Sequence, residues 1–224
     1  MVQCNKAKGL RMMMLWHMLS VAGSLAVTGP IGVAIAIYLV AGKQWRLTLA
    51  WAMLFGIGMA LVVLTKMAFM GWGIGIEAWE FAGFSGHAMR ATAVYPVAGY
   101  LVFRSSGPRA RQLGAAAGVL LSVMISVSRV PVLAHSVSEA VTGAILGLVV
   151  AALFIWYASR EHQWAMSRMF ALLCLPIVLI APTVEPVPAE TWIANAATYL
   201  SGRDKPYTRA IWANYRYPSA NSAH

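Results

Sequence analysis

An all-α, polytopic transmembrane bundle of about six membrane helices is the fold class this sequence predicts, and three observations predict it. The chain of 224 residues is 60% hydrophobic and only 11% charged, with a mean hydropathy of +0.68. A soluble domain of that size cannot hide so much apolar surface. Residues 12–42, 47–65, 112–128, 140–159 and 169–184 contain no Asp, Glu, Lys or Arg. At ~1.5 Å rise per residue, about 17 to 20 residues cross a ~30 Å hydrocarbon layer. Basic residues collect between the runs, as they do in the cytoplasmic loops of membrane proteins.

The elements follow in order. Lys6, Lys8 and Arg11 precede "MMMLWHMLSVAGSLA", a pattern that looks a little like a signal peptide and is read here as a membrane or interfacial helix of the chain. The run 12–42 is too long for one ordinary span, and "TGP" at 28–30 is expected to break it, because Gly and Pro interrupt helices. Either 12–27 and 31–42 form a short hairpin, or 12–27 lies in the interface and only the second half crosses. Lys43 with Arg46, Arg104 with Arg109 and Arg111, and Arg160 with Arg168 mark three cytoplasmic loops. Residues 47–65 then run outward, 88–103 inward, 112–128 outward, 138–159 inward and 169–184 outward. Segments 66–87 and 129–137 share the outer face. The chain divides into a membrane domain, 1–184, and a polar outer-face tail, 185–224. That tail carries Trp192, Tyr199, Tyr207, Trp212, Tyr215 and Tyr217 among basic residues, too aromatic for a plain disordered segment. It is expected to border the site or a partner.

Several function classes fall away. The net charge is +10, but the basic residues cap apolar runs, so nucleic acid is not an expected partner. Cys4 and Cys174 form neither a disulfide framework nor a CxxC metal pair. No pair of broken helices in matching halves suggests a transporter.

The polar residues that topology does not explain gather on the outer face: Lys66, Glu77, Glu80, Ser85, His87, Arg90, Arg129, His135 and Glu139. Ionisable groups at membrane depth are costly and usually functional. His135 and Glu139 are four apart, which puts them one turn apart on one face if residue 135 opens a helix. A carboxylate there fixes one imidazole nitrogen and leaves the other free to attack. Arg129 offers a planar fork for phosphate or carboxylate oxygens. Lys66 adds a positive charge. Ser85, Gly86 and His87 open a helix whose free N–H groups favour an anion. An anion cradle with two histidines suits phosphoryl transfer. Glu77 and Glu80, in the loop "GWGIGIEAWEF", read as flap or rim residues. His17, His162 and His224 read as packing or surface residues, and the N-terminal methionines as lipid-facing. His135 and Glu139 lack companions for a metal site.

The pattern "SGH", then "SR", five residues, "H", three residues and an acid resembles the type 2 phosphatidic acid phosphatase (PAP2) superfamily, over roughly residues 45–157. The resemblance implies a PAP2-like helical core and a lipid phosphatase that cleaves a lipid phosphate or pyrophosphate at the outer, periplasmic face of a bacterial inner membrane. It implies that His135 forms a phosphohistidine, that Glu139 orients it and that His87 protonates the leaving group. Lys66, Ser85, Gly86 and Arg129 would bind phosphoryl oxygens, with no metal and no cofactor. The expected partners are the lipid phosphate substrate and membrane lipids.

Three departures accompany the likeness. The family's first motif, K-x6-RP, has Gly73 and Ile74 at its Arg and Pro positions here. Arg90 is a candidate to replace the absent arginine in space. Phe84 stands where proline usually precedes SGH, and Glu139 stands where aspartate is usual. The alternatives are a lipid phosphotransferase using the same site and a catalytically degenerate protein that binds a lipid phosphate.

Overall fold

The structure, a computed structural model, describes residues 2–132, 134–161 and 188–209, with side chains from residue 12 onward. Helices α1 (Val2–Ala22), α2 (Leu25–Ala41), α3 (Trp45–Trp72), α4 (Gly86–Val102), α5 (Pro108–Ser128), α6 (Val137–Arg160) and α7 (Ala189–Ser201) account for the regular structure. Among the described residues there is no β-strand, only an isolated antiparallel bridge between Ile76 and Phe81. The chain is an all-α membrane protein. Among the described residues, four stretches are long and apolar enough to cross a bilayer: Met12–Ala41, Trp45–Trp72, Pro108–Ser128 and Val137–Arg160. The run 169–184, expected to be a further span, lies outside the described residues.

Helix α4 is the central element. It packs against α2, α3, α5 and α6, and most of its side chains are buried, Arg90 and Thr92 included. Enclosed by other helices, it can carry polar groups that a lipid-facing helix could not. Small residues let it sit so deep. "GAAAG" at 114–118 on α5 and "GAILG" at 143–147 on α6 place glycines where backbones nearly touch. A Cβ at Gly118 would lie 2.4 Å from the Tyr95 carbonyl oxygen, and one at Gly147 only 2.1 Å from that of Met89. Close backbone approach through small-xxx-small stripes is how helices associate in lipid, where burial of apolar surface supplies little drive. Around this contact lies an aliphatic and aromatic core that includes Ile35, Tyr38, Leu47, Trp51, Val94 and Phe154. The indole of Trp51 donates to the Gly32 carbonyl at 3.0 Å, so its polar atom is satisfied inside the core. The outward faces of α3, α5 and α6 carry exposed Leu49, Met53, Leu120, Val141, Ile145 and Leu153, as lipid contact requires.

Three boundaries differ from the sequence reading. The break in the first apolar run falls at Gly23–Ser24, not at 28–30. There Gly23 N–H bonds to Ser20 O and Ser24 N–H to Val21 O, while Pro30 sits inside α2. A proline near a helix start removes only one ladder bond, and the hydroxyl of Thr28 donates to Ser24 O at 2.7 Å beside it. Helix α3 continues past Lys66 through "MAFMGW" to a left-handed cap at Gly73, so Lys66 lies inside the helix and is buried. Helix α6 starts at Val137 rather than at His135, because Ser136 caps it.

These elements leave one polar end. Helix α3 brings Lys66 there, α4 starts there, α5 ends there at Arg129 and α6 starts there. At the opposite end the buried Arg104 donates to the carbonyls of Ala158 and Glu161 at 3.1 and 3.4 Å, tying the α4–α5 turn to the end of α6.

Candidate active site

The histidine–glutamate pair is built by a helix cap. The hydroxyl of Ser136 accepts from Glu139 N–H, and the Glu139 carboxylate reaches back to Ser136 N–H at 3.4 Å, a reciprocal capping box. This turns the carboxylate toward the residue just before the cap. Glu139 Oε2 thus meets His135 Nδ1 at 2.8 Å. The two residues meet across a helix N-terminus rather than along one helix face, which corrects the expectation that residue 135 opens the helix. The signature S-x-x-E at 136–139 carried that signal in the sequence. The other carboxylate oxygen accepts from Ala82 N–H at 3.0 Å, and Glu139's own carbonyl accepts from Ser85 N–H at 3.1 Å. Glu139 therefore fastens both loops of the site to α6. The carbonyl of Arg129 closes the turn before His135 by accepting from Ala134 and His135 N–H.

His135 is only 8% exposed and Glu139 3%. Burial pushes the His135 imidazole below its ordinary value of 6.5; the hydrogen bond to Glu139 opposes this and the nearby Lys66 charge adds to it. The ring is thus held neutral. With Nδ1–H donated to the carboxylate, Nε2 carries the lone pair.

Beside the pair lies a cavity of about 520 Å³. Lys66, Gly86, His87, Arg90 and Arg129 supply its polar wall, and Leu25, Met59, Val62, Val63, Trp192 and Ile193 its apolar one. A smaller cavity of about 190 Å³ holds His135 and Glu139, and it shares Lys66, Ala134 and Glu190 with the larger one. Arg129 is anchored by a hydrogen bond from its guanidinium to the Ser20 hydroxyl, and its buried Nε has no hydrogen-bond partner among the described residues. Arg90 Nε donates to Thr28 Oγ1 at 3.2 Å. Its guanidinium lies over Gly86, where an added Cβ would come within 2.9 Å of Nη1. A side chain at position 86 would displace this cation.

The fold thus brings Lys66, Gly86, His87, Arg90, Arg129, His135 and Glu139 to one end. Ser85 is the N-cap of α4: it is fully buried, its hydroxyl accepts from Ala88 N–H at 3.4 Å, and it lines neither cavity. Glu77 and Glu80 are exposed on the loop between α3 and α4, and the loop is pinned to α6 where Ser138 donates to Trp79 O at 2.6 Å. His17 is exposed on α1, while His162, His224, Trp212, Tyr215 and Tyr217 lie outside the described residues.

The C-terminal segment joins the site. Helix α7 packs on α3, and Glu190 Oε1 lies 2.5 Å from Lys66 Nζ. Arg209 donates to Ala134 O at 3.3 Å and lies 3.6 Å from Glu139 Oε2. Glu190, Ser20 and Thr28 were not among the residues singled out from the sequence, and Arg209 reads there only as one of the basic residues, with Arg203, Lys205 and Arg216, of a tail expected to border the site or a partner. Single polar residues far from the motif carry no pattern that marks them.

Two comparisons place the chain. Residues 65–163 match the PAP2 superfamily. A Klebsiella pneumoniae protein described as an uncharacterized 22.5 kDa protein in cps region is 32% identical over 202 residues, which span 87% of this chain and 95% of that protein. The chain belongs to the PAP2 superfamily. No solved structure matches it. PAP2 superfamily members are generally phosphatases, so membership points to a phosphatase-type activity. The PAP2 match runs from the last turns of α3 through α6 and so includes Lys66, His87, Arg129, His135 and Glu139, and leaves α7 and Arg209 outside it. The departure at Gly73 also has a local cause. This residue ends α3 with φ 70°, a left-handed conformation that an arginine would adopt only under strain.

Proposed function

We propose that this PAP2 protein is a membrane lipid phosphatase that releases phosphate from a lipid phosphate or pyrophosphate through a phosphohistidine on His135. The observation that carries the reading is the 2.8 Å bond between His135 Nδ1 and Glu139 Oε2 beside a cavity with a cationic floor and an apolar wall. A charged headgroup on an apolar chain matches that division. The phosphoryl group docks among Lys66, Arg90 and Arg129 and the free N–H groups at the start of α4, displacing the Glu190 carboxylate from Lys66.

His135 Nε2 then attacks phosphorus in line. An N–P bond forms as the P–O bond to the leaving oxygen breaks, and Glu139 holds the charge that develops on the imidazole. Burial and the nearby Arg129 and Arg90 charges pull the His87 imidazole down to about 2, so it is neutral in the empty site; it takes up the proton that the substrate phosphate brings in and gives it to the leaving oxygen. In the second half a water loses a proton to His87 and attacks phosphorus, the N–P bond breaks, and inorganic phosphate leaves with His135 regenerated. Catalysis is mostly positioning and charge stabilisation, which fixed guanidinium and ammonium groups supply.

The site end lies opposite the end that carries Arg104 and Arg160. By the positive-inside pattern it faces outward, which in a bacterial inner membrane is the periplasm. The test is phosphate release from a panel of lipid phosphates and pyrophosphates in detergent, comparing wild type with His135→Ala. Release that His135→Ala abolishes is expected. A labelled lipid phosphate that binds wild type without turnover would make the protein a binder, and transfer of phosphate to a second lipid would make it a phosphotransferase.

A further inference from the structure

We infer that Arg209, carried in by the C-terminal segment, is a phosphoryl-binding residue of this site. The inference rests on the reading of the site as a phosphoryl site and adds a residue from outside the matched family region.

The argument starts with how the segment is held. After α7 the chain turns at Gly202 and runs back along the end of α3. Tyr207 N–H donates to Met70 O at 2.8 Å. The Tyr207 ring lies against Gly73, where an added Cβ would come within 3.2 Å of the ring. The guanidinium of Arg203 stacks on the same ring, 3.9 Å from the Tyr207 ring centroid. The backbone two residues before Arg209 is therefore fixed to α3, and Gly73 is the surface it is fixed to. A larger residue at position 73 would push Tyr207 away.

That anchor delivers Arg209 to the smaller cavity, which it lines together with Lys66, Gly83, His135 and Glu139. A guanidinium has five N–H donors in a rigid fork. One bond goes to Ala134 O, which holds the side chain in place. The Glu139 carboxylate does not need the others. Its Oε1 accepts from Ala82 N–H, and its Oε2 is bonded to His135 and Ser136. Arg209 stands 3.6 Å from Oε2, an ion-pair distance at which its charge supports the carboxylate without a hydrogen bond, and its side chain is 38% exposed. Spare donors of a fixed cation thus border the same small cavity as the nucleophile, whereas Arg90 and Arg129 line the larger cavity, which shares Lys66 with it. A phosphoryl group on His135 would meet Arg209 in addition to Lys66 and the cations of the larger cavity.

The test is binding of inorganic phosphate to the purified full-length protein in detergent, by titration calorimetry, with thermal unfolding followed in parallel. Arg209→Ala should weaken phosphate binding roughly 10- to 100-fold, the scale of one charge-assisted contact. Arg209→Lys should fall between the two. Tyr207→Ala, which releases the anchor, should weaken binding in the same direction. If Arg209→Ala does not fold, Arg209→Gln carries the same readout, since it keeps a donor for Ala134 O and loses the charge. Phosphate affinity equal to wild type in a folded Arg209→Ala or Arg209→Gln protein, with only a lowered unfolding temperature, would make Arg209 a structural anchor and overturn the inference. So would a wild type that binds no phosphate. Turnover is not needed for this readout: phosphate bound through Arg209 with no hydrolysis of any lipid would defeat the phosphatase reading and leave this one standing.

Discussion

The carboxylate of Glu190 sits 2.5 Å from the ammonium of Lys66, joining the first turn of α7 to the buried face of α3. Lys66 is the cation shared by the two cavities, so an incoming phosphoryl group and Glu190 compete for it. The Glu190 side chain is 65% exposed, which keeps the pair weak and its displacement cheap. Glu190→Gln is expected to lower KM by up to about fivefold, the scale of an ion pair with one exposed partner, with kcat little changed. Initial rates against substrate concentration check it, and a raised KM would mean that Glu190 helps to hold substrate.

Glu139 acts through His135, and its removal should cost turnover rather than binding. Glu139→Gln keeps the shape but presents an amide that can donate to Nδ1 and so favour the wrong tautomer. A loss in kcat of about 10³-fold or more is expected, on the scale seen when a histidine loses its carboxylate partner. KM should change little. Glu139→Asp, one methylene shorter, should retain more activity than Glu139→Gln. Steady-state kinetics of the two variants decide it.

The pH profile should report the burial of His135. Protonation removes the nucleophilic lone pair, so kcat/KM falls as pH drops through the imidazole pKa of the free enzyme. Burial lowers that pKa below 6.5, with Glu139 opposing and Lys66 reinforcing the shift. The neutral form therefore persists to lower pH than in a free histidine, and the acid limb should lie below pH 6.5, after correction for ionisation of the substrate phosphate. An enzymic acid limb above 6.5 would contradict a desolvated, neutral His135.

The glycine contacts of α4 should be intolerant of added volume. A Cβ at Gly147 would stand 2.1 Å from the Met89 carbonyl oxygen, a backbone atom that cannot rotate away. Gly147→Ala is expected to cost about 1–3 kcal/mol of stability, because α4 and α6 must move apart. Activity should fall with it, since this contact fixes the start of α4 against Glu139. Thermal unfolding in detergent measures the first effect and phosphate release the second. An unchanged unfolding temperature would mean that the helices separate without strain.

Much of this architecture was legible because lipid imposes simple rules. Charge-free runs predicted α3, α5 and α6, and basic loops predicted which ends lie together. The spacing of His87, Arg129, His135 and Glu139 marked the residues that the fold gathers. Boundaries were less legible. "TGP" reads as a break, but the break falls at Gly23, which packs so close to α5 that a Cβ there would stand 2.5 Å from the Ile125 side chain, a tertiary contact that local propensity does not carry. The proximity of His135 and Glu139 was read as helical spacing, whereas a capping box produces it. The tail was expected to border the site or a partner, but the individual contacts of Glu190 and Arg209 were illegible for a different reason. They reach the site from more than fifty residues beyond His135 in the chain, through the docking of α7 and Tyr207 on α3.

The most direct test of the account is alkaline quenching of the enzyme during turnover of a lipid phosphate radiolabelled in the phosphoryl group. Phosphohistidine survives base and is lost in acid. The account predicts a base-stable, acid-labile label on wild type, absent from His135→Ala, together with loss of phosphate release in that variant. Phosphate release by His135→Ala at the wild-type rate, or the same label on that variant, would contradict it.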